Sequence, residues 1–200
     1  MFWTERDKEN PSVMKATMDG RNLTSVRSEG VLRPSGITVD YRGKRICWAD
    51  TLKLVLQCTD FDGINNEEFS ILHRNFLPDY VGIHEGTLYW AGKAGGSGDE
   101  AGIFRLGIAT KEFYTESGEI LTETLTGNVM GLKGFALYHT GMVTDSSRRN
   151  PCEAHSCSGL CLLSGPSNFS CVCPEGFFSV YDNDWNKCVG ECDILLNSFH

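Results

Sequence analysis

A dense cluster of cysteines near the C-terminus restricts the fold of this chain more than any other feature. Seven of its nine cysteines lie between Cys152 and Cys192. Such density predicts a disulfide-stabilised module in an oxidising compartment. The paired C-x2-C spacing of zinc modules is missing, which disfavours the alternative of a metal site. Six of the cysteines follow the spacing C-x4-C-x3-C-x9-C-x-C-x14-C, which alone allows fifteen pairings; they are Cys152, Cys157, Cys161, Cys171, Cys173 and Cys188.

Residues 1–145 have a different character. Short β-rich runs, such as Gly36–Asp40, Ile46–Asp50 and Thr87–Ala91, are separated by glycine, aspartate, asparagine and proline. No stretch keeps a helical period over three turns. This part of the chain is therefore predicted to be all-β.

The β-rich part also repeats itself. Trp3, Trp48 and Trp90 lie 45 and 42 residues apart, and the turn-like pairs Asp19-Gly20 and Asp62-Gly63 lie 43 residues apart. A period of about 40–45 residues that holds four short strands predicts the blades of a β-propeller. The tryptophans stand in the tetrapeptides Phe2-Trp3-Thr4-Glu5, Cys47-Trp48-Ala49-Asp50 and Tyr89-Trp90-Ala91-Gly92.

The order of these motifs resembles the YWTD, or class B, repeats of the LDL-receptor-related family over residues 1 to about 140. The quoted tetrapeptides alternate with the D-G-x-N motif and with Pro34-Ser35-Gly36-Ile37, as in that family. The resemblance implies the C-terminal part of a six-bladed propeller, with about three repeats and the tetrapeptide on the second strand of each blade. Residues 36–73 and 78–126 would then form complete blades. The blade of Phe2 would lack its inner strand, and 131–139 would be the last inner strand.

The fourth position of the tetrapeptide departs from the family pattern in two of the three repeats. The family's aspartate is Glu5 in the first repeat and Gly92 in the third, whereas the second repeat keeps Asp50. The resemblance therefore implies that the bracing hydrogen bonds of this aspartate are altered in the first blade and absent from the third.

The cysteine module resembles an EGF-like domain, supported by Asn150-Pro151 before the first cysteine and by Pro174–Phe177. The resemblance implies the bonds Cys152–Cys161, Cys157–Cys171 and Cys173–Cys188. Arg148 and Arg149 replace the acids that precede a calcium-binding module, so no calcium is expected. The domains are thus predicted as 1–145 (partial propeller), 150–189 (EGF-like module) and 190–200 (truncated tail), and Cys192 is left without an assigned partner.

Cys47 and Cys58 lie outside the module. A two-residue turn at Leu52-Lys53 would place them directly opposite each other on neighbouring strands, at a separation suited to a disulfide. Two buried free thiols are the alternative. The bond is favoured because Cys47 replaces the family's usual tyrosine and because the compartment is oxidising.

Two other residue classes are candidate sites. Asn22 and Asn168 begin N-x-S/T triplets and are candidate N-glycosylation sites. Receptors of the resembling family release cargo in acidified endosomes, where histidine titrates. His73, His84 and His139 are therefore candidate pH sensors, with a solvent-facing loop histidine as the alternative for each.

Composition and motifs argue against several other functions. A formal net charge of −8 disfavours nucleic-acid binding. No apolar run approaches the roughly 18 residues of a membrane helix, and no secretory leader is recognisable. Because the cysteine cluster indicates an extracellular protein, the chain is expected to be a fragment of a longer one. Gly95–Asp99 lacks the lysine of a phosphate loop and the last glycine of a nucleophile elbow. No catalytic residue, metal ligand or cofactor is predicted.

The function implied by the resemblance is extracellular protein binding and scaffolding in an LDL-receptor-related endocytic receptor. Its partners would be extracellular protein or lipoprotein ligands, with pH-linked release. The chain would be attached to the membrane only through the rest of the longer protein from which it comes, a single-pass cell-surface protein that we call the parent. A secreted matrix protein of the nidogen type and a Wnt co-receptor ectodomain are alternatives. A metal-centred hydrolase on a six-bladed propeller is disfavoured because it needs carboxylates from all around the ring. The isolated chain is expected to fold poorly and to aggregate through its open strands. A homodimer that exchanges strand 131–139 is the alternative.

Overall fold

The protein is described by a computed structural model that covers residues 1–71, 76–94, 100–107, 123–138, 149–154, 157–179 and 187–190. The chain divides into two compact units. The propeller unit contains residues 2–15 and 24–142, and the cysteine unit contains residue 1, residues 16–23 and residues 143–200.

Three antiparallel sheets build the propeller unit, and each joins its strands in chain order. The first sheet holds β1 (Phe2–Glu5), β2 (Ser12–Lys15) and β3 (Thr24–Arg27). The second holds β4 (Pro34–Asp40), β5 (Arg45–Asp50), β6 (Val55–Asp60) and β7 (Glu67–Ser70). The third holds β8 (Phe76–His84), β9 (Thr87–Ala94), β10 (Glu100–Gly107) and β11 (Glu123–Met130). The predicted all-β propeller architecture is confirmed, with the tetrapeptides of Trp48 and Trp90 on second strands.

The second sheet is buried on both faces, which explains why β5 reads as a nearly continuous apolar run. One face of β5 places Ile46 and Trp48 in a core cluster with Val13, Val26 and Val31 of the first sheet and its connection. The opposite face places Cys47 and Ala49 in a cluster with β8, β9 and β10, including Leu88, Trp90 and Phe104. Side chains alternate between faces along a strand, so β5 supplies both cores that join the three sheets.

The cysteine unit is built from short elements. It contains a 3₁₀ helix at Pro151–Ala154, a hairpin of β12 (Leu160–Leu163) and β13 (Phe169–Val172), and a pair of β14 (Phe177–Ser179) and β15 (Cys188–Gly190). Residues 16–23 join this unit through the hairpin. The Met18 amide donates to the Leu163 carbonyl oxygen at 3.0 Å, and the Ser170 hydroxyl donates to the Asp19 carboxylate at 2.8 Å.

The connection between β5 and β6 is longer than the two-residue turn expected at Leu52-Lys53. It comprises four residues, because the last ladder pair is Asp50 with Val55. The Leu54 amide closes this turn by donating to the Asp50 carbonyl oxygen at 2.9 Å, and Leu54 takes a φ of 59°. The longer turn is centred on the same two residues, so Cys47 still pairs with Cys58.

The expected inner strand at 131–139 is wrong for the residues that the structure describes there, 131–138, none of which lies in a strand. A strand needs a hydrogen-bonded neighbour, whereas this segment is held mainly through side chains. The Tyr80 hydroxyl donates to the Lys133 carbonyl oxygen at 2.9 Å, and Phe135 and Leu137 lie over Gly82 on β8. Strand exchange with a second copy would first have to release these contacts.

Gly63 permits a close approach between the first two sheets. Its φ is 79°, and a Cβ at this position would lie 2.0 Å from the Val26 carbonyl oxygen of β3. Gly20, at the matching position of the first repeat, also has a φ of 79° but would have nothing within 4 Å of its Cβ. The two glycines therefore separate the cost of the backbone angle from the cost of the contact.

Replacing Gly63 by alanine should lower the free energy of unfolding by about 3 kcal/mol, because backbone strain and overpacking act together. The matched control Gly20→Ala should cost only about 1 kcal/mol, the cost of the left-handed conformation. Urea denaturation followed by tryptophan fluorescence measures both changes. Equal losses for the two variants would contradict the close contact.

Candidate functional site

The side chain of Asp50 ties the second sheet to the connection that enters it from the first sheet. Asp50 is fully buried at the end of β5. One carboxylate oxygen accepts the amide of Leu32 at 2.7 Å, and the amide of Arg33 lies 3.1 Å from both oxygens. The other oxygen accepts the amides of Leu52 and Lys53 at 3.1 and 3.0 Å. A buried carboxylate with four amide donors fixes both the β3–β4 connection and the β5–β6 turn.

The first repeat holds the neighbouring sheet through different side chains. Glu5 is exposed at the end of β1. The Thr4 hydroxyl instead donates to the Ser35 carbonyl oxygen at 2.8 Å, and the Arg6 guanidinium donates to the Pro34 carbonyl oxygen at 2.8 Å. Thr4 and Arg6 therefore add hydrogen bonds to the apolar contacts between the first and second sheets.

In the third repeat, backbone takes the space that the aspartate occupies in the second. Gly92 pairs with Pro78, as Asp50 pairs with Pro34. A Cβ on Gly92 would lie 2.3 Å from the Leu77 carbonyl oxygen. The backbone at the start of β8 thus lies too close to Gly92 for any side chain there.

Restoring the family's acid with Gly92→Asp should therefore destabilise the protein, by about 1–3 kcal/mol for the overpacking. The matched control is Glu5→Asp, which places the same acid at the exposed first-repeat position and should change stability by less than about 0.5 kcal/mol. Chemical denaturation of both variants measures the difference. A gain in stability from Gly92→Asp would show that the backbone at Leu77 can move and make room for the aspartate side chain.

The two central tryptophans have different partners on the neighbouring strand. Trp48 Nε1 donates to the Gln57 side-chain oxygen at 3.0 Å. In the third sheet, Phe104 takes the cross-strand position of Gln57 and stacks on Trp90 with ring centroids 4.1 Å apart. Among the described residues, no hydrogen-bond acceptor reaches the buried Trp90 Nε1. Sequence reasoning missed Gln57, whose place opposite a repeat tryptophan was the available signal.

The structure joins all eight cysteines that the sequence singled out for disulfides. Cys47 and Cys58 are bonded across β5 and β6 with Cα atoms 4.1 Å apart, and both are buried. The cysteine unit contains the bonds Cys152–Cys161, Cys157–Cys171 and Cys173–Cys188. The bonds of the unit connect its 3₁₀ helix, its hairpin and its last strand pair. Cys192 lies outside the described residues.

The remaining predicted sites are on the surface or beyond the described parts of the chain. Asn22 and Asn168 are both exposed. His84, at the end of β8, is partly buried, and its Nε2 lies 3.9 Å from the Glu85 carboxylate. His73 and His139 lie outside the described residues, as does the loop 95–99. In the described ranges, no three histidine, cysteine or acidic side chains are grouped to hold a metal ion.

A second carboxylate, in the run Asp60-Phe61-Asp62-Gly63 that the sequence marks as turn-like, organises the β6–β7 connection. Asp60 accepts the amides of Asp62, Ile64 and Asn65, together with the Asn65 side-chain amide at 2.7 Å. These donors, led by the Ile64 amide, hold the pKa of Asp60 below its usual value. Its place before Asp62-Gly63 is the signal of such a turn.

The fold is shared with a solved structure. A chain in the crystal structure of a nidogen/laminin complex superposes with a TM-score of 0.51 and 23% identity, over 66% of this chain and 46% of that chain. The protein has one three-stranded sheet, two four-stranded sheets with a tryptophan on the second strand, and a disulfide-rich unit. These features define it as a protein with a partial YWTD-type β-propeller. No protein-family model matches the sequence.

Curated relatives give the family. The vitellogenin receptor Yl of Drosophila melanogaster is 30% identical over 179 residues, covering 88% of this chain and 8% of the receptor. The sortilin-related receptor of Oryctolagus cuniculus is 30% identical over 202 residues, covering 94% of this chain and 8% of the receptor. The chain thus spans less than a tenth of the length of either relative. Its YWTD-type repeats and this similarity show a propeller segment of the kind found in receptors of the LDL-receptor-related family.

Proposed function

We propose that the protein is an extracellular protein-binding and scaffolding segment of an LDL-receptor-related endocytic receptor, and that it has no catalytic activity. The observation that carries this proposal is the similarity to two kinds of receptor across 82–94% of the chain. Four disulfides in the described residues agree with an oxidising, extracellular location. None of the described helices has the length and apolar character needed to cross a membrane. Attachment to the cell surface through a parent receptor is a separate part of the proposal.

Its ligands are proposed to be extracellular proteins or lipoproteins. The exposed positions of Asn22 and Asn168 are compatible with N-linked glycans, which would be added in the secretory pathway. A matrix protein of the nidogen type is the second candidate, because the solved structural neighbour is a chain of a nidogen/laminin complex. That likeness supports the fold, whereas the receptor similarity also extends to sequence.

Release of ligand in acid is a finer part of the proposal. Asp19 and Asp60 are unsuited to it, because hydrogen bonds lower the pKa of each carboxyl group from its usual value. The Thr17 hydroxyl makes the largest contribution at Asp19, and the Ile64 amide makes the largest contribution at Asp60. Groups with lowered pKa values contribute stability that is lost only as pH falls through those folded-state values, which lie below the endosomal range. His84 is the described residue with the right chemistry, and the charged groups around it are Asp40, Arg42 and Glu85.

Antibody labelling of cells that express the parent protein tests the location and the receptor role. An antibody raised against the 200-residue chain should stain intact, unpermeabilised cells, and it should enter vesicles on warming. Staining only after permeabilisation would contradict an extracellular location. Stain that resists detergent extraction and stays outside cells would favour the matrix protein.

In the same cells, His84→Gln should slow ligand release at pH 5.5, and unchanged release would exclude His84 as the sensor.

A further inference from the structure

One cavity of the propeller unit is lined in part by polar and apolar side chains that have no partner among the described residues. It measures about 590 Å³ and lies between the β4–β5 turn and the β6–β7 connection. The turn supplies Gly43 and Lys44, the strand ends supply Arg45 and Cys58–Asp60, and the connection supplies Ile64–Glu67. We call this space the 44/64 cavity, after the two residues that carry the argument.

Most charges around the 44/64 cavity are already neutralised. Arg45 donates to the Asp40 carboxylate at 3.1 Å and lies 3.8 Å from the Glu67 carboxylate. Asp60 is saturated by the amide donors described above. Within the described part of the chain, no carboxylate lies within ion-pair distance of Lys44. Its ammonium group is therefore the charge that remains for a ligand.

Apolar and neutral polar groups accompany this cation. Ile64 is 76% exposed, which is unusual for a large aliphatic side chain beside a cavity. The Asn66 side chain is exposed and has no hydrogen-bond partner among the described residues. A ligand for this cavity would thus combine an anionic group, an apolar group and hydrogen-bonding atoms.

We propose that the 44/64 cavity binds a short acidic peptide segment of a partner protein, with a carboxylate against Lys44 and an aliphatic side chain against Ile64. This inference rests on the protein-binding function proposed above and adds the surface and the chemistry of the partner. The chain carries a net charge of −8, so a local unpaired cation is a specific point of charge complementarity on an otherwise acidic protein. A sulfated glycan fits less well, because it requires several unpaired cations, whereas among the described lining residues Arg45 is paired and Lys44 alone remains.

Fluorescence anisotropy with the full chain tests the proposal. The probe is a fluorescein-labelled pentapeptide in which Asp and Leu alternate, and the neutral comparison peptide has Asn in place of Asp. The acidic peptide should bind saturably and more tightly than the neutral one. Added salt should weaken its binding, because exposed charge pairs are screened.

Lys44→Asn is the informative variant, because Lys44 has a φ of 52° and asparagine tolerates this region. It should weaken binding of the acidic peptide about three- to fivefold, as expected for one exposed ion pair, and Ile64→Ser should weaken it as well. The matched control Lys8→Asn removes an exposed lysine elsewhere and should leave the affinity unchanged.

Three results would overturn the proposal: no binding of the acidic peptide at millimolar concentration, equal affinity in Lys44→Asn and the unchanged chain, or tighter binding of a heparin oligosaccharide that depends on the same residues. These outcomes leave the antibody experiment unaffected. Suppose that the antibody stains intact cells and is internalised, but that Lys44→Asn binds the acidic peptide as tightly as the unchanged chain. The proposed function would then stand, and this binding surface would be rejected.

Discussion

Replacing Asp50 by alanine should lower the free energy of unfolding by about 3 kcal/mol or more. The substitution removes a buried carboxylate that accepts four backbone amides, and each charge-assisted hydrogen bond of this kind contributes about 1.5–3 kcal/mol. The loss stays below the sum of the four because the Leu32 and Arg33 amides belong to exposed residues and regain water. Asp50→Asn should also be destabilising, because its amide group would face backbone donors.

Glu5→Ala is the matched control for Asp50→Ala. Glu5 holds the corresponding position of the first repeat but is exposed, so its removal should cost less than about 0.5 kcal/mol. Chemical denaturation monitored by tryptophan fluorescence measures both variants, since Trp48 lies in the same buried sheet. If both substitutions lowered the free energy of unfolding by similarly small amounts, Asp50 would not be the residue that ties the second sheet to the connection from the first.

The double variant Cys157→Ser/Cys171→Ser should leave the cysteine unit unfolded at 37 °C. The bond closes a loop of 14 residues in sequence separation, and such a bond contributes about 3 kcal/mol. A module of this size buries too little apolar surface to compensate, and several of its large apolar side chains are exposed, including Leu160, Phe177 and Phe178. Limited proteolysis should cut the variant within residues 157–179 and leave the propeller unit protected.

The control for this variant is Cys47→Ala/Cys58→Ala, which removes the bond of the propeller unit. Proteolytic cleavage should then shift away from residues 157–179, because the cysteine unit keeps its three bonds. Persistent protection of 157–179 in the Cys157/Cys171 variant would show that the unit does not depend on that bond.

Sequence reasoning predicted the architecture because the repeat carries several signals at once. A tryptophan, an Asp-Gly turn and a Pro-x-Gly-Ile run recur in fixed order, so errors in any one strand do not change the blade count. The facing positions of Cys47 and Cys58 follow from the ladder alone, since both a two-residue and a four-residue turn centred on Leu52-Lys53 give the same pairing.

Other features depend on three-dimensional packing that one sequence does not encode locally. Residues 131–138 have the composition of a strand, but their contacts with Tyr80 and Gly82 keep them outside the sheet. From the sequence alone, glycine at position 92 indicates that the hydrogen bonds made by the family's aspartate are missing. Only the 2.3 Å approach of Leu77 shows that backbone has taken its space. The 44/64 cavity joins residues from a turn and a connection about 20 positions apart, so no motif marks it.

Peptide mapping of the secreted chain by mass spectrometry under non-reducing conditions tests the account most directly. A YWTD-type sheet with Cys47 opposite Cys58 and an EGF-like unit together predict four bonds: Cys47–Cys58, Cys152–Cys161, Cys157–Cys171 and Cys173–Cys188. Recovery of these four linked peptides, with thiol labelling absent from all eight positions, is the expected result. A Cys152–Cys157 linkage would contradict the EGF-like fold of the cysteine unit. Free thiols at Cys47 and Cys58 in most molecules would contradict the bond across β5 and β6 and the oxidising, extracellular location.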